Sequence, residues 1–270
     1  MQGRDQHFLS GDAQLRYRDE GEGPPVVFIH GWTLDLDAWE PQAVLAPSIR
    51  VIRYDRRGFG LSGGTPGRAA DAEDLARLFE CLGLEAATLV GLSQGARVAL
   101  AFALRHPSRV SALVLDGPPD ETGAGSGGAD EDFSVAEFRR LVAEQGVEAF
   151  RRAWREHPLM RLHTGDAAMR ELADRILGRY PARDLAAAPD AAPPPAGATA
   201  LARFTRPVLI VNGELDTRAR RRAGEALARA LPAAERIVLP GAGHLPNLDA
   251  PGAYNDALQA FVRRQSLAAA

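Results

Sequence analysis

The sequence predicts an α/β fold, a mostly parallel, doubly wound sheet with a helical cap inserted into it. Three observations carry this prediction. Short apolar runs rich in Val, Ile and Leu recur along the chain, helical patterns alternate with them, and the alternation stops between about residues 118 and 205. With 270 residues, 46% hydrophobic and 25% charged, the chain can bury one substantial core.

The first strand signal is Gln14 to Arg18, which ends in the turn-forming Gly21-Glu22-Gly23-Pro24-Pro25 and predicts an antiparallel edge strand. Six near-continuous runs follow: VVFI (26–29), VIRY (51–54), ATLV (87–90), ALVL (112–115), VLIV (208–211) and RIVL (236–239). Unbroken runs of this kind suit strands covered on both faces of a parallel sheet. Helical patterns lie at roughly 69–82, 95–106, 217–231 and 251–264, as the crossovers of such a sheet require.

Between the runs ending at 115 and beginning at 208 the pattern is helical. The segment opens with the Gly-rich ETGAGSGGADED and continues as Ser134-Val135-Ala136-Glu137, a spacing that satisfies the first free amides of a helix. The amphipathic stretches EFRRLVAEQ, VEAFRRAWREH and AAMRELADRIL follow, and PDAAPPPAGATA closes the segment as an extended connector. Residues 1–117 and 205–270 are therefore expected to form the core, and 118–204 the cap.

A net charge of -3 gives no overall attraction to nucleic acid or to anionic membrane. The one basic cluster, Arg218 with Arg220 to Arg222, reads as a solvated helix face. The single cysteine, Cys81, cannot form an internal disulfide and reads as a packed helical thiol. MQGRDQHFLSGDAQLRYRDEG has neither a basic nor an apolar leader region, and no stretch approaches 18 apolar residues, which suggests a soluble, cytoplasmic protein.

Two segments match the G-x-S-x-G signature of a serine nucleophile: GLSGG at 60–64 and GLSQG at 91–95. Their surroundings separate them. Ser93 follows the strand ATLV and precedes GARVALAFALRHP, a helix whose free N–H groups would face a reacting oxygen. Ser62 follows the long turn DRRGFG, and Gly63-Gly64-Thr65-Pro66-Gly67 beyond it is a poor helix start, so GLSGG reads as a flexible surface loop.

A serine hydroxyl requires a base, and the base an orienting carboxylate. Of six histidines, His244 lies on the Gly-rich loop just after the strand RIVL. Asp216, after the strand VLIV in NGELD, is favoured as the carboxylate, with Asp116 after ALVL as its competitor and Glu214 as a neighbour on the same turn. An oxyanion needs two fixed N–H donors. The amide of Gln94 supplies one, and that of Trp32 in the loop His30-Gly31-Trp32 supplies the other. His30 is expected to order this loop rather than to act as a second base.

HGW at 30–32, DRRGFGLS at 55–62, GLSQG at 91–95, GELD at 213–216 and GAGH at 241–244 together resemble an α/β-hydrolase fold enzyme of the capped type, over nearly the whole core. HGWTLDLDAWEPQ is similar to the corresponding stretch of bacterial aryl esterases and perhydrolases and of 3-oxoadipate enol-lactonases. The resemblance implies that DRRGFGLS is a structural turn beside the oxyanion loop. Haloalkane dehalogenases and epoxide hydrolases carry Asp where this chain has Ser93, and the Gly-Pro-Gly and Asn pattern of the meta-cleavage C-C hydrolases is absent. Gln94 replaces the usual Met or Gly after the nucleophile.

The expected activity is hydrolysis of a small-molecule ester or lactone by Ser93, Asp216 and His244, with no metal and no organic cofactor. The same residues could serve C-C cleavage, perhydrolysis or acyl transfer, and a non-catalytic binding protein on the same fold is the alternative from another class. Trp154 and Met160 in the cap are possible pocket residues, although helical spacing favours core packing for each. The sequence leaves the oligomeric state open.

Overall fold

The computed structural model describes residues 3–123, 132–187 and 194–269. Among these residues one sheet is built from β1 (Gln6–Ser10), β2 (Ala13–Glu20), β3 (Pro25–Ile29), β4 (Arg50–Tyr54), β5 (Ala87–Leu92), β6 (Val110–Asp116), β7 (Val208–Gly213) and β8 (Ala234–Leu239). The order across it is β1-β2-β4-β3-β5-β6-β7-β8. β2 pairs antiparallel with β1 and β4, and all later neighbours are parallel. Each of the six apolar runs is a strand.

The runs are unbroken because both faces are covered. Successive side chains point to opposite faces. Val26, Phe28, Val90 and Val114 enter one core with Trp39, Tyr254 and Phe261, while Val27, Ile29, Leu89 and Leu113 enter a second with Phe79, Phe102 and Leu227. The second face is covered by α1 (Arg68–Cys81), α2 (Gln94–Arg105) and α8 (Arg218–Ala230). The first is covered by the 3-10 stretch Leu36–Leu45 and α10 (Pro251–Ala269), the latter preceded by the short α9 (Pro246–Asp249).

Between β6 and β7 lie α3 (Val135–Gln145), α4 (Val147–Arg155), α5 (Ala167–Arg179), α6 (Arg183–Ala186) and α7 (Ala198–Leu201). Ser134 caps α3 by accepting a hydrogen bond from the Glu137 amide at 3.3 Å, as the Ser-x-x-Glu spacing predicts. Phe150 and Trp154 of α4 and Leu172 and Ile176 of α5 join the first core. Most of the Gly-rich opening and residues 189–193 of the connector lie outside the described residues.

Strand order decides where a site can form. The chain passes from β3 out to β4, then returns to place β5 on the other side of β3. The order therefore reverses between β3 and β5, and the loops leaving their carboxyl ends diverge around a crevice. Those loops carry His30-Gly31-Trp32 and Ser93.

Three expectations need correction. The strand containing Gln14 to Arg18 is not the edge, because β1 pairs outside it; QHFLS escapes pattern reading since only Phe8 and Ser10 are buried. Cys81, the last residue of α1, is exposed rather than packed. Arg218, Arg221 and Arg222 are exposed, but Arg220 is 2% exposed, and its Nε donates to Asp132 at 2.8 Å.

Candidate active site

Ser93 sits between β5 and α2 with φ 53° and ψ -113°, a left-handed conformation costly for a side chain larger than glycine. The flanking glycines make the turn possible. A Cβ on Gly91 would collide with the Gly95 carbonyl, and one on Gly95 with the Ile29 carbonyl of β3. The Ser93 amide donates to the Asp116 carbonyl at 2.7 Å, so β6 braces the elbow, and Ala96 donates to the Ser93 carbonyl at 3.0 Å to start the helix.

His244 and Asp216 are brought together from the loops after β8 and β7. His244 Nδ1 lies 3.1 Å from Oδ1 and 3.0 Å from Oδ2 of Asp216, and both side chains are buried. The Thr217 amide donates to Asp216 Oδ1 at 2.7 Å and fixes the carboxylate plane. Gly117, at φ 49°, closes over the pair: a Cβ there would lie 2.8 Å from His244 Cε1 and 2.9 Å from Nδ1.

Asp116, the competing carboxylate, is fully buried at the end of β6 with the Tyr254 hydroxyl as its polar neighbour. Burial and the nearby Asp216 charge push its carboxyl well above the ordinary carboxylate range. The charged form is therefore disfavoured at this position. Glu214 instead accepts a hydrogen bond from the Gly241 amide at 2.9 Å.

The loop after β3 is ordered through His30. Its Nε2 accepts from the Arg56 amide at 2.9 Å, so Nδ1 carries the proton and donates to the Gly31 carbonyl at 2.8 Å. Burial and the Arg56 guanidinium hold the ring neutral, lowering its pKa to about 3. Among the described residues neither the Trp32 nor the Gln94 backbone N–H meets an acceptor. Both residues line a cavity of about 340 Å³ together with Ser93, His244, Trp154 and Met160.

GLSGG is not a flexible loop. Leu61 is 63% exposed, but Ser62 is buried; its Oγ accepts from the Arg16 amide at 2.9 Å and donates to the Asp55 carbonyl at 2.7 Å. Ser62 thereby joins DRRGFG to β2. The side chain of Asp55 accepts from the amides of Leu36 and Leu61, at 2.7 and 2.8 Å, so the turn also braces the loop after β3.

Sequence reasoning missed the contacts that lock this loop from above. Trp32 Nε1 donates to Asp184 Oδ2 at 2.5 Å, and Trp154 Nε1 donates to Thr33 Oγ1 at 2.8 Å. The Trp32 ring stacks on Phe133 at 4.9 Å and meets Trp154 edge-on at 4.8 Å. Arg56 holds Asp71 through two hydrogen bonds and donates to Gln94 Oε1 at 2.7 Å, which anchors the polar side chain beside the elbow. These pairings span distant segments and leave no local pattern.

Residues 24–251 match a family model described as alpha/beta hydrolase fold. The chain is 30% identical to 2-(acetamidomethylene)succinate hydrolase of Mesorhizobium japonicum, across 95% of this chain and 96% of that protein. It is similar to a thermophilic esterase from Thermogutta terrifontis solved with malate bound, with a TM-score of 0.79 and 27% identity over 98% and 99% of the two chains. The enol-lactonase from Burkholderia xenovorans LB400 superposes with a TM-score of 0.80 and 26% identity over 96% and 100%. Among the described residues no helix is long and apolar enough to cross a membrane.

Proposed function

The chain belongs to the α/β-hydrolase family, and on that premise we propose that it hydrolyses a carboxylic ester or a lactone through an acyl-enzyme on Ser93. The observation that carries this reading is the strained Ser93 elbow sharing one cavity with a His244 ring held by Asp216. The esterase and the enol-lactonase among the compared proteins support an ester or lactone as the substrate.

Ser93 Oγ attacks the acyl carbon while its proton passes to His244 Nε2. The negative oxygen that develops is held by the Trp32 and Gln94 amides. The acyl C–O bond then breaks, and His244 returns the proton to the departing alkoxide. Water attacks the acyl-enzyme, giving one proton to His244 and the hydroxyl to the acyl carbon, and the proton returns to Ser93. Asp216 fixes the proton of the resting ring on Nδ1 and stabilises the imidazolium. Residues 118–204 act as a cap whose aromatic side chains enclose the acyl site and exclude water.

A fluorophosphonate probe is expected to label Ser93 in the folded protein, with alcohol and acid appearing in equal amounts from a hydrolysed ester. Folded protein whose Ser93 stays unlabelled would instead be a binding protein on this fold.

Gly117→Ala tests the packing around the base. The added methyl has to displace the His244 ring, and misplacing a catalytic group by about 1 Å costs on the order of 10²-fold in rate. A loss of that size in kcat, with little change in KM, is expected in steady-state ester hydrolysis.

A further inference from the structure

The cavity wall carries an uneven distribution of charge. Among the described residues four arginines line it, Arg56, Arg97, Arg139 and Arg220, against a single carboxylate, Asp184. The acids that pair with three of them, Asp71, Glu121 and Asp132, do not line the cavity. Cations thus face the substrate space and their counter-charges stand behind them. Such a wall favours an anion inside, because a partly dehydrated cavity weakens screening of the facing charges.

Arg97 is the residue placed to use this field. It lies on α2 four residues beyond Ser93, about 6 Å further along the helix axis. Its Nε engages Glu121, itself buried and bonded to the Ala196 amide at 3.1 Å. Neither η nitrogen of Arg97 has a protein partner among the described residues. By contrast, Arg56 is spent on Asp71 and Gln94, and Arg139 donates to the carbonyls of Asp184, Leu185 and Ala187. Glu121 therefore orients a guanidinium whose remaining donors form a planar fork, the shape that matches a carboxylate.

We propose that the substrate is an ester or lactone bearing a second, free carboxylate, which the Arg97 guanidinium binds one helical turn from Ser93. This rests on the hydrolase reading above and specifies its substrate class. Arg97 selects the substrate and takes no part in bond making.

The test is protection of Ser93 from fluorophosphonate labelling by the monomethyl esters of succinate, glutarate and adipate, each compared with its neutral primary amide. For at least one chain length the acid is expected to protect at a concentration tenfold or more below that of the amide, the ratio typical of a charge-assisted hydrogen-bonded pair. Arg97→Gln combined with Glu121→Gln removes both charges without stranding a buried carboxylate, and is expected to bring the ratio to about one. Reading the ratio within each protein cancels any change in the labelling rate itself. Equal protection by acid and amide in the wild type overturns the proposal even where the double variant fails to fold, and so does an unchanged ratio in a folded double variant. Absence of labelling in the folded wild type overturns the hydrolase reading instead.

Discussion

Ser93→Ala is expected to lower kcat for a short 4-nitrophenyl ester by about 10⁴- to 10⁶-fold, while Ser62→Ala leaves kcat per folded molecule at the wild-type level. The first substitution removes the atom that bonds the acyl group, and only the oxyanion donors and binding remain to assist water. The second removes a hydroxyl that joins the Arg16 amide to the Asp55 carbonyl. Leaving those buried groups without partners costs about 1–3 kcal/mol of stability. Ser62→Ala should therefore melt several degrees lower at unchanged turnover. Active-site titration alongside thermal unfolding separates the two effects, and equal losses of kcat in both variants would refute the assignment of Ser93.

The two serines also show what the sequence made legible. Each lies in a G-x-S-x-G pentapeptide, and only the strand before Ser93 and the helix after it distinguished them. The strand and helix expected on either side of Ser93 are present because elbow geometry is local: Gly91, Ser93 and Gly95 set a backbone that the strand and helix bring into register. Local reasoning failed for Ser62, read as a flexible loop, because the partners of Ser62 are a β2 amide and a carbonyl at the end of β4. Arg220 was misread for the same reason. The arginines around it, Arg218, Arg221 and Arg222, are exposed, and its acidic partner Asp132 lies 88 residues away. Strand runs, helix periods and one cap were readable because they repeat within a few residues. The ties of Trp32 to Asp184 and of Trp154 to Thr33 join segments that meet only after folding.

Asp216 and Asp116 pose the remaining choice between like residues, and their environments predict opposite responses to one substitution. Asp216→Asn is expected to reduce kcat/KM by about 10³- to 10⁴-fold. The Thr217 amide donates to Oδ1, so the asparagine carbonyl takes that position and its NH₂ replaces Oδ2 facing His244 Nδ1. Nδ1 must then accept, which moves the ring proton to Nε2, and the ring can no longer take the proton of Ser93. Asp116→Asn should change kcat/KM by less than about tenfold, since burial disfavours a charge at that position and an amide matches the carboxyl in shape. The brace it gives the elbow comes from its backbone carbonyl, which the substitution leaves in place. Parallel kcat/KM measurements decide the matter: a loss at Asp116 matching that at Asp216 would make the carboxylate at the end of β6 the one that orients His244.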